Sequence, residues 1–322
     1  MINAERILRI DCQKAEEGIK GYLRRLVSHF SAEGVMIGLS GGIDSAVLAT
    51  LAVRALGGEK VSLSYLYDRD NERDSREKAE HLASWLGLKL KVTNIEPAMR
   101  QKGIYQNWVA RLTSFSPSLN QSLIKLYQKL FRNSPFFFTL IKEDKKESDK
   151  IARVFLSGVR TIEKSFNLRH IYRREVLERE AKRKSLLLLG ATNRTEYEIG
   201  WFVKGGIDDL PFSPLSGLYK TQIRQLAQHL SLPAEIKNQT PTPDMMKGIT
   251  DELVLGITYD KIDIILDGIS RFLSDEEISH FGVTREEISY VRTLNHLSAW
   301  KRGEPKNPPV DGSIRGGLRV LP

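Results

Sequence analysis

The twelve residues Val35 to Ala46, VMIGLSGGIDSA, constrain the fold more than any other stretch of the chain. A short apolar run breaks into a glycine turn, and a helical pattern opens at once through Val47, Leu48, Leu51 and Ala52. That order reads as strand, turn, helix. In such a turn the backbone N–H groups point outward, and the following helix adds its positive end, so the turn is a ready anion site. Gly41 and Gly42 allow close approach of backbone and anion, and Ser40 and Ser45 add hydroxyl donors. Asp44 is out of place beside a phosphate unless it holds a Mg²⁺ that bridges to the phosphate oxygens. The loop lacks the Gly-Lys-[Ser/Thr] ending of a Walker A motif. The plainer alternative is a strand-to-helix turn whose glycines serve only tight packing.

The rest of the chain fits a sheet of parallel strands. Residues 4–30 carry Ile7, Leu8, Ile10, Ile19, Leu23 and Val27 at spacings of three and four, which predicts an amphipathic helix. After the 35–56 unit, Val61–Tyr67 and Leu88–Ile95 read as strands, separated by a helix with Ala79, Leu82, Ala83 and Leu86 that Gly87 stops. An Arg-rich helix is expected over 167–183, then a buried strand over 185–192. Strands alternating with helices predict an α/β fold, a Rossmann-like parallel sheet with helices on both faces and ligands outside the carboxyl ends of the strands. Residues 101–165 break this rhythm with Ser, Pro, Gln and aromatics, and predict a helical insertion covering a dimer or substrate face. The charge run 142–147 within it reads as a solvated segment. An irregular tail is expected from about 303 to 322, within one domain spanning residues 1–322.

With 322 residues the chain has ample length for a buried core. No apolar run approaches the roughly 20 residues of a membrane span, and the N-terminus lacks the order of a signal peptide. Cys12 is the one cysteine, which excludes an intrachain disulfide and paired-cysteine metal or sulfur chemistry and suits a cytoplasmic setting. The net charge of +9 suits a polyanionic small substrate or nucleic acid. Because the basic residues are spread through helical stretches, solvated helix faces account for it equally well, and a nucleic-acid partner is not expected.

A second constellation follows the strand at 185–192. It runs Gly190-Ala191-Thr192-Asn193-Arg194-Thr195-Glu196, then Lys204, Leu218-Tyr219-Lys220-Thr221-Gln222, Pro241-Thr242-Pro243-Asp244, Leu255-Gly256-Ile257-Thr258-Tyr259-Asp260 and Trp300-Lys301-Arg302. In order and spacing, the loop and these elements resemble the ammonia-dependent NAD⁺ synthetases, a branch of the ATP pyrophosphatases with the adenine nucleotide alpha-hydrolase-like fold. The resemblance covers most of residues 15–305 apart from the insertion. It implies an ATP-dependent amide ligase that adenylates the nicotinate carboxylate of deamido-NAD⁺ and amidates it with ammonia, with ATP as co-substrate, Mg²⁺ as cofactor, and a homodimer.

Carried over residue by residue, the resemblance gives Gly38, Ser40, Gly41, Gly42, Asp44, Ser45, Lys220 and Thr242 to ATP, and Asp44 and Glu196 to Mg²⁺. Asp44 and Lys220 become the catalytic pair, Lys204, Asp209 and Lys301 contact the dinucleotide, and Asp244 organises a closing loop. Each has a plainer alternative: Glu196 as a first-turn helix acid, Lys220 as a surface lysine, Thr242 as a turn residue, Lys301 as a solvated tail lysine. The chain departs from the family's pattern at Ile171, where an arginine is usual, at Pro211 for an aspartate, at Trp300 for a histidine and at Ala191 for a threonine. These losses fall on the acid-substrate side. They leave open an enzyme for another acid or a tRNA base, or a non-catalytic nucleotide-binding homologue.

Overall fold

A computed structural model of the chain describes residues 4–106, 116–141, 150–243 and 248–303. The opening helix is broken in two, α1 (Ala4–Ile7) and α2 (Cys12–His29), where one continuous helix over 4–30 was expected. Asp11 ends the apolar run of Leu8 and Ile10, and its carboxylate accepts the Lys14 N–H at 3.0 Å as the cap of α2. A capping side chain at that point favours a fresh start over a continuous helix.

The core alternates as predicted: β1 (Gly34–Gly38), α3 (Ile43–Leu56), β2 (Val61–Tyr67), α4 (Arg73–Trp85), β3 (Leu90–Asn94) and α5 (Glu96–Gln101). Two short helices follow, α6 (Pro117–Phe131) and α7 (Pro135–Leu140), each begun by a serine cap, Ser116 and Ser134, with proline in the first turn. The charge run 142–147 lies outside the described residues. Then α8 (Lys150–Arg183) runs without interruption for 34 residues, about 51 Å, into β4 (Leu186–Leu189). The expected insertion therefore has no boundary at 165; its last part and the Arg-rich helix are one element.

The four strands lie in the order β3-β2-β1-β4, all parallel. The chain winds from β1 outward to β3 and then crosses to the other side for β4. The crevice at that reversal lies beyond the carboxyl ends of β1 and β4. Side chains alternate across the sheet. Val35, Ile37, Leu63 and Tyr65 pack with α2, α3 and α4, while Met36, Leu66 and Leu188 pack with Met99 of α5 and Leu177 and Ala181 of α8. Complete burial of each such aliphatic side chain contributes about 1.5–3 kcal/mol.

Beyond β4 come α9 (Arg194–Ile199), α10 (Lys220–His229), α11 (Ala234–Lys237), α12 (Asp251–Leu255), α13 (Tyr259–Ser270), α14 (Asp275–Ser279) and α15 (Arg285–Leu297), and a 3₁₀ turn at Ala299–Lys301. Here α10 joins the layer of α2 and α3 on one face of the sheet. The helices α13 to α15 build a second apolar cluster, with Ile262, Ile265, Ile288 and Val291 fully buried, against Tyr219, Ile199 and Phe136. This arrangement holds α9 and α10 at the crevice from behind.

Candidate active site

The loop between β1 and α3 is held by its own serines. The Ser40 N–H donates to Ser45 Oγ at 3.2 Å, Ser45 Oγ donates to the Gly42 carbonyl at 3.1 Å, and the Gly42 N–H donates to Ser40 Oγ at 3.2 Å. Gly41 has φ +77°, and a Cβ there would stand 2.4 Å from the Ser75 carbonyl oxygen. Glycine is thus demanded at 41 by the close passage of α4 as well as by the turn. Gly38, Ser40, Gly42, Asp44 and Ser45 line a cavity of 580 Å³; Gly41 forms the back of the turn and does not.

Three helix beginnings converge on that cavity. Asp44 lies in the first turn of α3, Glu196 in the first turn of α9, and Lys220 opens α10. The Lys220 ammonium sits 2.5 Å from Asp44 Oδ2 and 3.3 Å from Glu196 Oε1. Asn193 closes the fourth side by donating Nδ2–H to Asp44 Oδ1 at 2.9 Å. Asn193 is also the cap of α9: its Oδ1 accepts the Glu196 N–H at 3.0 Å, and Glu196 Oε2 accepts the Asn193 N–H at 3.3 Å. Glu196 is therefore a first-turn helix acid and an acidic wall of the cavity at once, one oxygen for each task.

Lys220 is buried, not a surface lysine. Burial opposes its charge, but Asp44 and Glu196 outweigh that and hold the ammonium above its ordinary value. Burial pushes Glu196 up to about 8, with Asp44 and Asp251 adding repulsion against the pull of Lys220. Asp251, at the start of α12, is pushed up to about 6 by burial; its Oδ2 accepts the Tyr259 hydroxyl at 2.9 Å. The Tyr259 ring in turn lies 5.1 Å from the Lys220 ammonium. Three carboxyl groups share one ammonium, so the cavity floor favours an added cation. Among the described residues no group of three or more His, Cys, Asp and Glu is spaced to hold a metal by itself. The donor set instead suits a hard cation held by one or two carboxylates and completed by phosphate oxygens.

Behind Lys220 stands a carboxylate that the sequence reading left without a role. Asp263 on α13 is fully buried; its Oδ1 accepts the Thr195 hydroxyl at 2.5 Å and its Oδ2 accepts the Thr221 N–H at 2.8 Å. Thr195 Oγ1 accepts the Lys220 N–H at 2.9 Å. One carboxylate thus ties the first turns of α9 and α10 together. The signal available in sequence was an aspartate at the fifth position of an Ile-rich helix, where an apolar residue is expected.

The residues expected to contact the dinucleotide behave differently from one another. Lys301 is buried, not solvated. Its ammonium donates to the Gly200 and Phe202 carbonyls at 2.8 and 2.7 Å, and burial lowers it to about 8. Lys204 donates to the Lys301 carbonyl at 2.7 Å and lies 3.8 Å from Asp209. Asp209 turns its carboxylate onto the Gly205 N–H at 2.9 Å, and it is the neighbouring Asp208 that lines the cavity, paired with His170 at 3.1 Å. Thr242, Asn167 and Lys301 line the cavity too. Asp244 lies outside the described residues. Of the departures, Ala191 lines the cavity beside Thr192, whose hydroxyl donates to the Asp208 carbonyl at 2.6 Å. Ile171, Pro211 and Trp300 are exposed and do not line it.

A glycine turn, two carboxylates and a buried lysine gathered at the reversal point of a parallel α/β sheet put the candidate site where open α/β sheets bind their ligands. The sequence model of the NAD synthase family matches residues 16–111 and 141–305. The NH₃-dependent NAD⁺ synthetase of Coprothermobacter proteolyticus is 34% identical over 263 residues, covering 81% of this chain and 86% of that one. The enzyme of the same name from Aeropyrum pernix is 30% identical over 320 residues, covering 98% and 94%. Among solved structures, NMN synthetase from Francisella tularensis superposes with a TM-score of 0.65 at 23% identity, covering 92% of this chain and 97% of that one, a likeness of fold. The chain belongs to the NAD synthase family.

Proposed function

We propose that the chain makes NAD⁺ from deamido-NAD⁺, ATP and ammonia, releasing AMP and pyrophosphate. The observation that carries this reading is the meeting of Asp44, Glu196 and Lys220 at the reversal of the sheet, in a chain whose relatives of 30% identity and above bear the name NH₃-dependent NAD⁺ synthetase.

The first half-reaction joins two anions. A carboxylate oxygen of the nicotinate attacks the α-phosphorus of ATP, the bond to the bridging oxygen breaks, and pyrophosphate leaves. The chain's task is to cancel repulsion and hold the line of attack. The turn at Ser40–Ser45 offers N–H and hydroxyl donors to the departing phosphates, with Thr242 across the cavity. Lys220 neutralises charge as it builds on the leaving oxygens, held in place by Asp44 and Glu196. These two carboxylates are the residues that would hold Mg²⁺, which supplies further neutralisation of the phosphate oxygens. In the second half-reaction ammonia attacks the acyl carbon, the bond to AMP breaks, and the nitrogen gives up a proton. Asp208, Lys301 and Asn167, which line the cavity, are the residues that would bind the dinucleotide; Lys204 stands outside that lining, joined to the Lys301 carbonyl, with Asp209 bracing its loop. The same reading includes a cytoplasmic setting, in keeping with the lone Cys12, and a homodimer, in keeping with the exposed Leu126 and Leu130 on α6. No described helix is long and apolar enough to cross a membrane.

The test follows AMP and NAD⁺ together, with ATP, Mg²⁺ and ammonia, with and without deamido-NAD⁺. The expected result is AMP that depends on deamido-NAD⁺ and matches NAD⁺ one for one. Lys220→Ala should lower kcat by about 10²–10³-fold, the usual loss for one charge-stabilising donor. AMP formed without deamido-NAD⁺, or no NAD⁺ at all, would overturn the reading.

A further inference from the structure

The family match skips residues 112–140, and the described part of that stretch is α6 and α7. These helices sit on the active cavity. Leu123, Ile124 and Tyr127 of α6, one helical stripe, and Phe136 of α7 line the same space as Asp44, Glu196 and Lys220. Tyr127 and Phe136 are buried, and the Phe136 ring meets Trp201 edge-on at 4.8 Å. The cavity therefore has a charged floor and an apolar wall.

The wall is clamped in place. Gln121 and Gln128 donate their side-chain N–H groups to the Gly248 and Leu253 carbonyls at 2.8 and 2.7 Å. Ser134 and Tyr290 share a hydrogen bond of 2.6 Å, and the Tyr290 hydroxyl lies 2.7 Å from the Leu255 carbonyl. A Cβ on Gly248 would stand 2.4 Å from Pro117. Apart from Tyr290 of α15, which itself holds the Leu255 carbonyl, these anchors fall on or beside α12, which carries Asp251. The wall is fixed to the segment that follows Thr242, not hung loosely above it.

The chemistry of the reaction gives such a wall a task. An acyl adenylate can be attacked by ammonia or by water. Ammonia forms the C–N bond, AMP leaves, and the nitrogen loses a proton. Water forms a C–O bond with the same departure of AMP, returns the carboxylate and a proton, and so consumes ATP without product. An apolar wall offers water no hydrogen bonds, whereas uncharged ammonia, with fewer hydrogen bonds to surrender, is excluded less. We propose that α6 and α7 set the partition of the acyl adenylate between ammonia and water in favour of ammonia. This inference rests on the ammonia-dependent NAD⁺ synthesis proposed above.

The experiment reads NAD⁺ formed per AMP formed, across a range of ammonia concentrations, in the parent chain and two variants. Leu123→Ser with Ile124→Ser makes the partly exposed end of the stripe polar. Gln128→Ala loosens one clamp without touching the stripe. The parent should hold a ratio of one. In the variants the ratio should fall below one half at low ammonia and climb back as ammonia is raised, while AMP formation changes less than threefold. A ratio that stays at one in both variants, or AMP and NAD⁺ lost together in constant proportion, would overturn the inference. A parent that forms no NAD⁺ would instead fail the functional reading itself.

Discussion

At the scale of single residues, Asp263 shows how a site is held from behind. It touches neither the cavity nor Lys220's ammonium, yet its two oxygens fix the Thr195 hydroxyl and the Thr221 N–H, and Thr195 fixes the Lys220 backbone. Burial pushes its carboxyl up to about 7. Asp263→Ala would leave two buried donors without an acceptor, each worth about 1–3 kcal/mol. The expected outcome is a lower urea midpoint together with a fall in kcat larger than any rise in KM for ATP, since the ammonium would remain but lose its aim. Asp263→Asn keeps the shape and one acceptor and should recover most of the stability but not all of the rate. Equal loss of rate and stability in both variants would make Asp263 a packing residue only.

At the scale of elements, the glycine turn illustrates what could be read in the sequence and what could not. The order strand, turn, helix was legible because the apolar period switches at Gly41, and the parallel sheet was legible because helices separate every strand. The convergence of Asp44, Glu196 and Lys220 was legible only through motif order, since 176 residues separate Asp44 from Lys220. Four things were hidden. The break at Asp11 depends on one cap competing with helix continuity. The unbroken run of α8 across residue 165 depends on tertiary ties, such as Arg169 to Asp70 at 2.5 Å and Arg173 to Asp68 at 3.6 Å, which no periodicity reveals. The burial of Lys301 depends on the Gly200 and Phe202 carbonyls at the end of α9, distant in sequence. The second need for Gly41, the carbonyl of Ser75, was hidden for the same reason. Gly41→Ala should therefore cost stability by about 1–3 kcal/mol from the left-handed φ alone, and should also push α4 away from the loop. A thermal melt and ATP affinity measured together check this; Gly42→Ala, whose Cβ would meet only the Ser40 hydroxyl at 3.1 Å, should be milder in the melt.

At the scale of the whole molecule, the site depends on helices on one face of the sheet staying in register, and Glu16 is the pin that joins three of them. It projects from α2, meets Arg54 of α3 at 3.1 Å and His229 of α10 at 2.9 Å, and lies 3.5 Å from Lys20. Arg54 goes on to the Leu230 carbonyl at 3.2 Å. Burial would raise the Glu16 carboxyl, but the hydrogen bonds from Arg54 and His229 and the nearby charges outweigh it and hold the group below its ordinary value of 4.5. A carboxyl depressed in the folded state binds fewer protons there than in the unfolded chain. Its contribution to stability is thus present above pH 4.5 and is lost as pH falls through the folded value. Glu16→Gln should lower stability at pH 7 by about 1.5–3 kcal/mol, the range for hydrogen bonds to a charged group. The gap between parent and variant should close as the solution is acidified below pH 4.5, where the parent also becomes protonated. Urea titrations of both proteins at pH 7 and in steps down to pH 3 measure that gap. A gap that is constant with pH would mean that shape, not charge, pins these helices, and that α10 delivers Lys220 to the site by packing alone.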